Sequence, residues 1–341
     1  MNELSVTDSI KQAAIAQGFD VVGISRFTAQ DSLPLPPQPE TTTLPAKSLL
    51  KHLQDWMALG YHGTMQWLEK EPERRADPRN VLPGCQSIIS VGINYWTDKD
   101  PNEGPGNGRI ARYAWGKDYH RLLQKRLKNL ERSLAELAPE CTTRSYVDTG
   151  PVMEKVWAQR AGLGWIGKHS NLVSPEFGSW LLLGEVLTNL ELDPDEPGTD
   201  LCGTCTLCLQ ACPTNAITEP YVVDATKCIS FLTIEYRGDL DTIPQDLRSQ
   251  MGNRIFGCDD CLDVCPYNVN ASPTKETAFF PSPLTQSPNL NLLSQMDEET
   301  FSKTFEGSPI RRPKHSGFQR NVQVAIANDL GTVQKGHPAR S

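Results

Sequence analysis

Cys202-Gly-Thr-Cys205-Thr-Leu-Cys208-Leu-Gln-Ala-Cys212-Pro213 spaces four cysteines as C-x2-C-x2-C-x3-C-P. In such a run three thiolates hold one [4Fe–4S] cube and the fourth reaches across to a second, so further ligands are required. Cys258-Asp-Asp-Cys261-Leu-Asp-Val-Cys265-Pro266 repeats the last three positions, and Cys265-Pro-Tyr-Asn echoes Cys212-Pro-Thr-Asn. Its first position falls on Ile255, so one ligand comes from elsewhere, and Cys228 is the nearest unassigned cysteine. The expected sets are Cys202, Cys205, Cys208 and Cys265 for cluster one, and Cys212, Cys228, Cys258 and Cys261 for cluster two. A structural zinc site gives no reason for the x3-C-P ending to occur twice. Ten cysteines in 341 residues are too sparse for a disulfide framework. Cys85 and Cys141 are left over and read as free thiols in the core.

The remaining composition is that of a globular protein with a full core: 38% hydrophobic and 22% charged residues. No apolar run reaches the roughly 18 residues of a membrane span, and the start, MNELSVTDSIKQ, resembles no secretory signal. A cytoplasmic protein is expected, and nothing in the sequence suggests an obligate interface, so a monomer is expected too. The net charge of −8 argues against a general nucleic-acid binder, yet residues 301–341 carry seven Lys/Arg against two Asp/Glu. That basic tail is either a local polyanion contact or a solvated terminus.

Strands are expected at 20–25, 87–95, 143–147 and 179–188, with helices between, as an α/β sandwich. Residues 28–46, with five prolines, suit neither element. Asp193-Pro-Asp-Glu-Pro-Gly marks a boundary, giving segments 1–193, 194–275 (ferredoxin-like, two clusters) and 276–341. The last is expected to be loop-rich to about 288 and to end in one short helix with little to pack it. Arg112-Tyr113-Ala-Trp115-Gly-Lys-Asp118-Tyr119-His120 precedes a helix and reads as a polar pocket or a capping segment. Asp148 ends a strand and could be a general acid or the N-cap of the helix expected over 151–162. Three glycines in Gly162-Leu-Gly164-Trp165-Ile-Gly167 let the backbone pass something bulky, but they follow a helix and lack the dinucleotide order. Neither a flavin nor a nicotinamide fingerprint is present, and no C-x2-C-H marks haem attachment.

Tyr146-Val-Asp148-Thr-Gly-Pro151, Ala161-Gly-Leu-Gly-Trp-Ile-Gly-Lys168, the ferredoxin run, Gly252-Asn-Arg-Ile-Phe-Gly-Cys258-Asp-Asp-Cys261 and Gly307-Ser-Pro-Ile-Arg311 together resemble the epoxyqueuosine reductases, from about residue 5 to 330. The resemblance implies a cobalamin-binding catalytic domain of reductive-dehalogenase/nitroreductase-like α/β (α+β) fold, followed by the ferredoxin-like domain. It implies a cobalamin- and iron–sulfur-dependent reduction of epoxyqueuosine to queuosine at the wobble position of tRNA, the last step of queuosine synthesis. Asp148 is then the proton donor, with a pKa raised by burial against the corrin and substrate. The Asp-x-His-x-x-Gly motif is absent, since no glycine stands at 123, so cobalamin is expected base-off without a histidine ligand. Arg112, Tyr113, Asp148, Gly164, Trp165, Asn171, Leu172 and Ser230 are the candidates for its cradle. The tRNA, with a GUN anticodon, would meet Arg237, Arg254, Arg311, Arg312, Lys314 and Arg320. Many members carry C-terminal helical repeats, and such contacts are not expected from a chain stopping at Ser341. The electron donor would be a low-potential protein of flavodoxin or ferredoxin type. Two other readings stay open: a small-molecule reductive dehalogenase, which shares corrin plus two clusters, and a non-enzymatic electron-transfer protein.

Overall fold

The structure, a computed structural model, describes residues 5–27, 48–102 and 104–335; the proline-rich stretch 28–46 lies outside the described residues. Four strands, Val21–Arg26, Ser87–Asn94, Thr143–Tyr146 and Leu181–Thr188, form one sheet in which the fourth lies between the second and the third. Every pair is antiparallel. Ser87–Asn94 is buried along its whole length, which is why it reads as a continuous apolar run rather than an alternating one.

Side chains alternate between the two faces of the sheet. On one face Ile89, Val91, Ile93 and Val186 pack against Leu123, Leu127, Leu130 and Leu134 of the helix Tyr119–Leu137. Those leucines recur at helical spacing, so the whole stripe faces the sheet. Truncating Leu127 to alanine there costs about 2–5 kcal/mol. On the other face Ile88 and Leu187 meet Val156 and Trp157 of the helix Glu154–Arg160. That helix begins later than expected, because residues 147–153 form the turn that carries Asp148. Cys85 is buried as expected, whereas Cys141 is partly exposed.

The cysteine-rich segment has short helices at Leu207–Ala211, Ile229–Ile234 and Asp260–Asp263. It is packed into the rest of the molecule: Leu262 and Ala271 join the sheet's core, and Arg254–Phe256 pairs in parallel with Arg109–Ile110.

The expectation for the C-terminal segment was wrong. It holds helices at Leu290–Ser294 and Glu298–Thr304, and then one of 22 residues, Lys314–Lys335. Phe301, Phe305 and Phe318 form a triad with ring centroids 5.1–5.3 Å apart. They share a core with Ile110, Ile255 and Phe256. This helix packs both on the helices just before it and on residues far upstream, such as Ile110 and Phe256, that no local pattern reveals. No described helix is long and apolar enough to cross a membrane.

Candidate active site and cluster-binding segment

Beyond Tyr146 the chain turns at Asp148, a non-glycine residue with φ of +55°. Asp148 does not cap the following helix, whose N-cap is Met153; its backbone N–H instead donates to Glu154 Oε1. The carboxyl is 59% exposed although protein surrounds it on most sides, as in an open cleft. Its Oδ2 lies 3.2 Å from His120 Nε2, and His120 Nδ1 lies 2.7 Å from Asp118 Oδ1. Asp118 also caps the helix that starts at Tyr119. Tyr119 stacks on the imidazole at 4.0 Å between centroids.

In the chain alone these contacts set the proton affinity of Asp148. Burial works against a charge on His120, but the flanking Asp118 and Asp148 carboxylates prevail and raise it to about 9. The same hydrogen bond holds Asp148 below the ordinary carboxylate range, in spite of burial. The exchangeable proton therefore rests on the imidazole, one hydrogen bond behind the carboxylate that the sequence singles out.

Four further groups meet the same cleft. Lys155 Nζ donates to the Ser170 carbonyl and to Asn171 Oδ1, both at 2.9 Å. Its charge is felt by Asp148 and Glu154 on one side and by the Cys228 and Cys261 thiols on the other. Tyr113 and Arg312 are both close enough to act electrostatically on Asp148 or be acted on by it.

The thiols fall into two groups. Cys208 feels Cys202 and Cys205, whereas Cys261 feels Cys228, Cys258 and Cys212. The chain beyond Cys265 returns to the first group. Tyr267 lies edge-on to Trp165 at 4.7 Å and its hydroxyl reaches the Leu201 carbonyl at 3.3 Å, while Trp165 Nε1 donates to Cys202 Sγ at 3.4 Å. Among the described residues no three His, Cys, Asp or Glu side chains converge on the position of a single metal ion.

Several residues expected in a cobalamin cradle are used otherwise. Arg112 is drawn inward by Asp263 at 3.5 Å and lies over the Trp115 and Trp180 rings. Trp165 is buried against Cys202, and Leu172 lies in a core with Ala158 and Leu163. Gly164 has no room for a Cβ because the Val173 carbonyl would stand 2.0 Å from it; the bulky neighbour of the glycine stretch is the chain itself. Ser230 lies close enough to the Cys228 thiol to lower its proton affinity. Tyr113, Asp148 and Asn171 do meet at the cleft.

The basic candidates divide likewise. Arg320 is 6% exposed and its guanidinium is consumed by the Leu232, Tyr236 and Gly238 carbonyls. Arg254 is paired with Asp260, and Arg237 is held by the Ile234 and Arg312 carbonyls. Arg311, Arg312 and Lys314 are exposed, although Arg312 binds Glu235 at 3.0 Å. Sequence reasoning named His120 only as part of a segment that could line a polar pocket, and missed Glu154, Lys155 and Glu185. Glu185 alone carried a readable signal, a charge inside the otherwise apolar strand Leu181–Thr188.

A two-group array of cysteines beside a cleft holding a proton-bearing His–Asp pair defines an iron–sulfur oxidoreductase. Two families match, "Epoxyqueuosine reductase QueG, DUF1730" over residues 75–149 and "4Fe-4S double cluster binding domain" over residues 201–268. An epoxyqueuosine reductase of Synechocystis is 46% identical over 277 residues, 81% of this chain and 94% of that protein. That of Escherichia coli is 40% identical over 96% of this chain and 82% of its own. A crystal structure of epoxyqueuosine reductase with a tRNA-Tyr epoxyqueuosine-modified stem loop superposes with a TM-score of 0.82 at 31% identity, covering 94% of this chain and 81% of that one. A Bacillus subtilis structure, at 0.82 and 30% over 96% of this chain and 83% of its own, is described with its catalytic aspartate loop swung out of the active site. The chain belongs to the epoxyqueuosine reductase family.

Proposed function

We propose that the cleft between Asp148 and the cluster cysteines is where epoxyqueuosine in tRNA is reduced to queuosine. The protein is an oxidoreductase that acts on tRNA and carries iron–sulfur clusters. The observation that carries the site assignment is Lys155, whose charge is felt by Asp148 on one side and by Cys228 and Cys261 on the other. Cys202, Cys205, Cys208 and Cys265 are the proposed ligands of cluster one, and Cys212, Cys228, Cys258 and Cys261 those of cluster two. They supply electrons one at a time.

The residues present fit cobalamin in the same cleft. Lys155 and Asn171 offer polar contacts there, and no described histidine is presented as a lower ligand: His120 is held between two carboxylates, and His169 is buried against Ser179. Lys155, Asn171 and Tyr113 would hold the group base-off. Bound there, cobalamin supplies the reducing power directed at the substrate carbon.

Opening an epoxide to an alkene consumes two electrons and two protons and releases water. Asp118 fixes the imidazole of His120, and His120 holds a proton near neutral pH. Asp148 hands that proton from Nε2 to the leaving oxygen, so the acid is the His120–Asp148 pair. The turn carrying Asp148 is proposed to move, by analogy with the Bacillus subtilis structure, whose catalytic aspartate loop is swung out of the active site. Arg311, Arg312 and Lys314 are the proposed phosphate contacts for a GUN anticodon arm. A flavodoxin- or ferredoxin-type donor and a monomeric chain complete the proposal.

Anaerobic iron, sulfide and cobalt analysis of the reconstituted protein tests it. About eight irons and one cobalt per chain are expected; full iron with no corrin uptake would leave an electron-transfer protein instead. Turnover of a small halogenated substrate without RNA would favour a dehalogenase.

A further inference from the structure

Glu185 is a buried carboxyl for which the scheme above has no use. It lies within the Leu181–Thr188 strand, fully buried, and neither carboxylate oxygen has a partner of ordinary hydrogen-bond geometry among the described residues. The group it faces is the Glu154 carboxyl. Glu185 has two cross-strand neighbours, Tyr146 on one side and on the other Ser90, which is equally buried with an unpartnered hydroxyl. Glu154 in turn accepts the backbone N–H of Asp148. Glu185 is out of water and Glu154 is half-buried; two facing carboxyls in such surroundings disfavour a second charge, so this pair holds a proton at neutral pH.

The Asp148 turn needs such an anchor. A left-handed backbone at a non-glycine residue is strained by about 1 kcal/mol or more and persists where surrounding contacts over-determine it. An ionised carboxylate is a stronger acceptor for that N–H than a neutral one. We propose that Glu154 and Glu185 form a one-proton carboxyl pair, and that Glu154, through the Asp148 N–H, is the positioning residue that fixes the acid-bearing turn. The positioning half rests on Asp148 belonging to the proton donor; the pair itself does not.

The charged groups that face Glu154 are Glu185, Asp148 and Lys155. Burial, with the Asp148 charge added, lifts Glu154 to about 7, and burial with Glu154 opposite lifts Glu185 well above its usual range. As pH falls through about 7, Glu154 takes up a proton, its bond to Asp148 weakens and the turn is released.

Infrared spectroscopy of the cluster-loaded protein reads the pair without turnover. A protonated-carboxyl band at pH 8 is expected in the wild type and is lost in Glu185→Gln; a band absent from the wild type, or unchanged in that variant, overturns the pair. In steady-state assays with an epoxyqueuosine-modified stem loop, Glu154→Ala is expected to lose about 100-fold in kcat at unchanged KM, with cluster absorbance intact. Glu154→Gln, a permanent acceptor, recovers most of that loss and abolishes the acid limb near pH 7. Wild-type kcat in Glu154→Ala, or an acid limb retained in Glu154→Gln, overturns the positioning role. Should the alanine variant fail to fold, the glutamine pH profile decides. Because the band is read apart from activity, failure of the Asp148 reading and failure of the pair are distinguishable.

Discussion

His120 Nε2 lies 3.2 Å from Asp148 Oδ2, and this hydrogen bond sets which of the two residues carries the proton. Together with the Asp118 carboxylate on the other ring nitrogen it raises the imidazole to about 9, and it lowers the Asp148 carboxyl. A carboxylate that is a weak acid alone becomes the exit of a two-residue donor.

Asp148→Asn removes the exit and His120→Ala the store. Each is expected to lower kcat by about 100-fold or more while both clusters remain. Asp118→Asn, which disturbs only the orientation and charge of the imidazole, is expected to fall between these and the wild type. Rate measurements beside iron analysis check the series, and full activity in Asp148→Asn would remove the acid from the scheme.

Turnover has an alkaline limit. The folded-state pKa of His120 is raised above its unfolded value, so the stabilisation from its carboxylate partners is complete below about 6.5 and is lost as pH rises through about 9. The proton needed for catalysis is lost over the same upper range. A kcat profile and a series of melting temperatures between pH 6 and 10 should fall together, and His120→Ala should remove the decline in stability.

Arg320 and Arg311 separate structure from binding. Arg320→Ala strands three buried carbonyls, those of Leu232, Tyr236 and Gly238, and is expected to cost about 3 kcal/mol in denaturant titration. Arg311→Ala leaves stability unchanged and weakens stem-loop binding, with a shallower salt dependence. The reverse pattern would move the RNA contact to the wrong side of the last helix.

Trp165→Phe keeps the ring against Tyr267 but removes the N–H donated to Cys202 Sγ. Hydrogen bonds to cluster sulfur are a lever on potential, so cluster one should become harder to reduce while cluster two is unmoved. Spectroelectrochemical titration of the two clusters measures this.

The sheet was legible because Ser87–Asn94 and Leu181–Thr188 are apolar runs of strand length, and the cluster segment because cysteine spacing is set by the cube rather than by tertiary context. Asp148 was placed at its strand end, but its partnership with His120 was not visible, because His120 sits 28 residues upstream and touches it only after folding. Arg320 looked like surface charge because its carbonyl partners surround residues 232–238, invisible from the tail's own pattern. Gly164 suggested a ligand's approach, yet the packing of Val173 explains it. Local chemistry was readable in each case, and the identity of the distant partner was not.

The most direct measurement is mass spectrometry of an epoxyqueuosine-modified anticodon stem loop after anaerobic incubation with the cluster-loaded, cobalamin-supplemented protein and a low-potential reductant. Loss of one oxygen from the modified base, in the wild type and not in Asp148→Asn, is the predicted result. An unchanged base in the presence of both clusters and bound corrin would contradict the account.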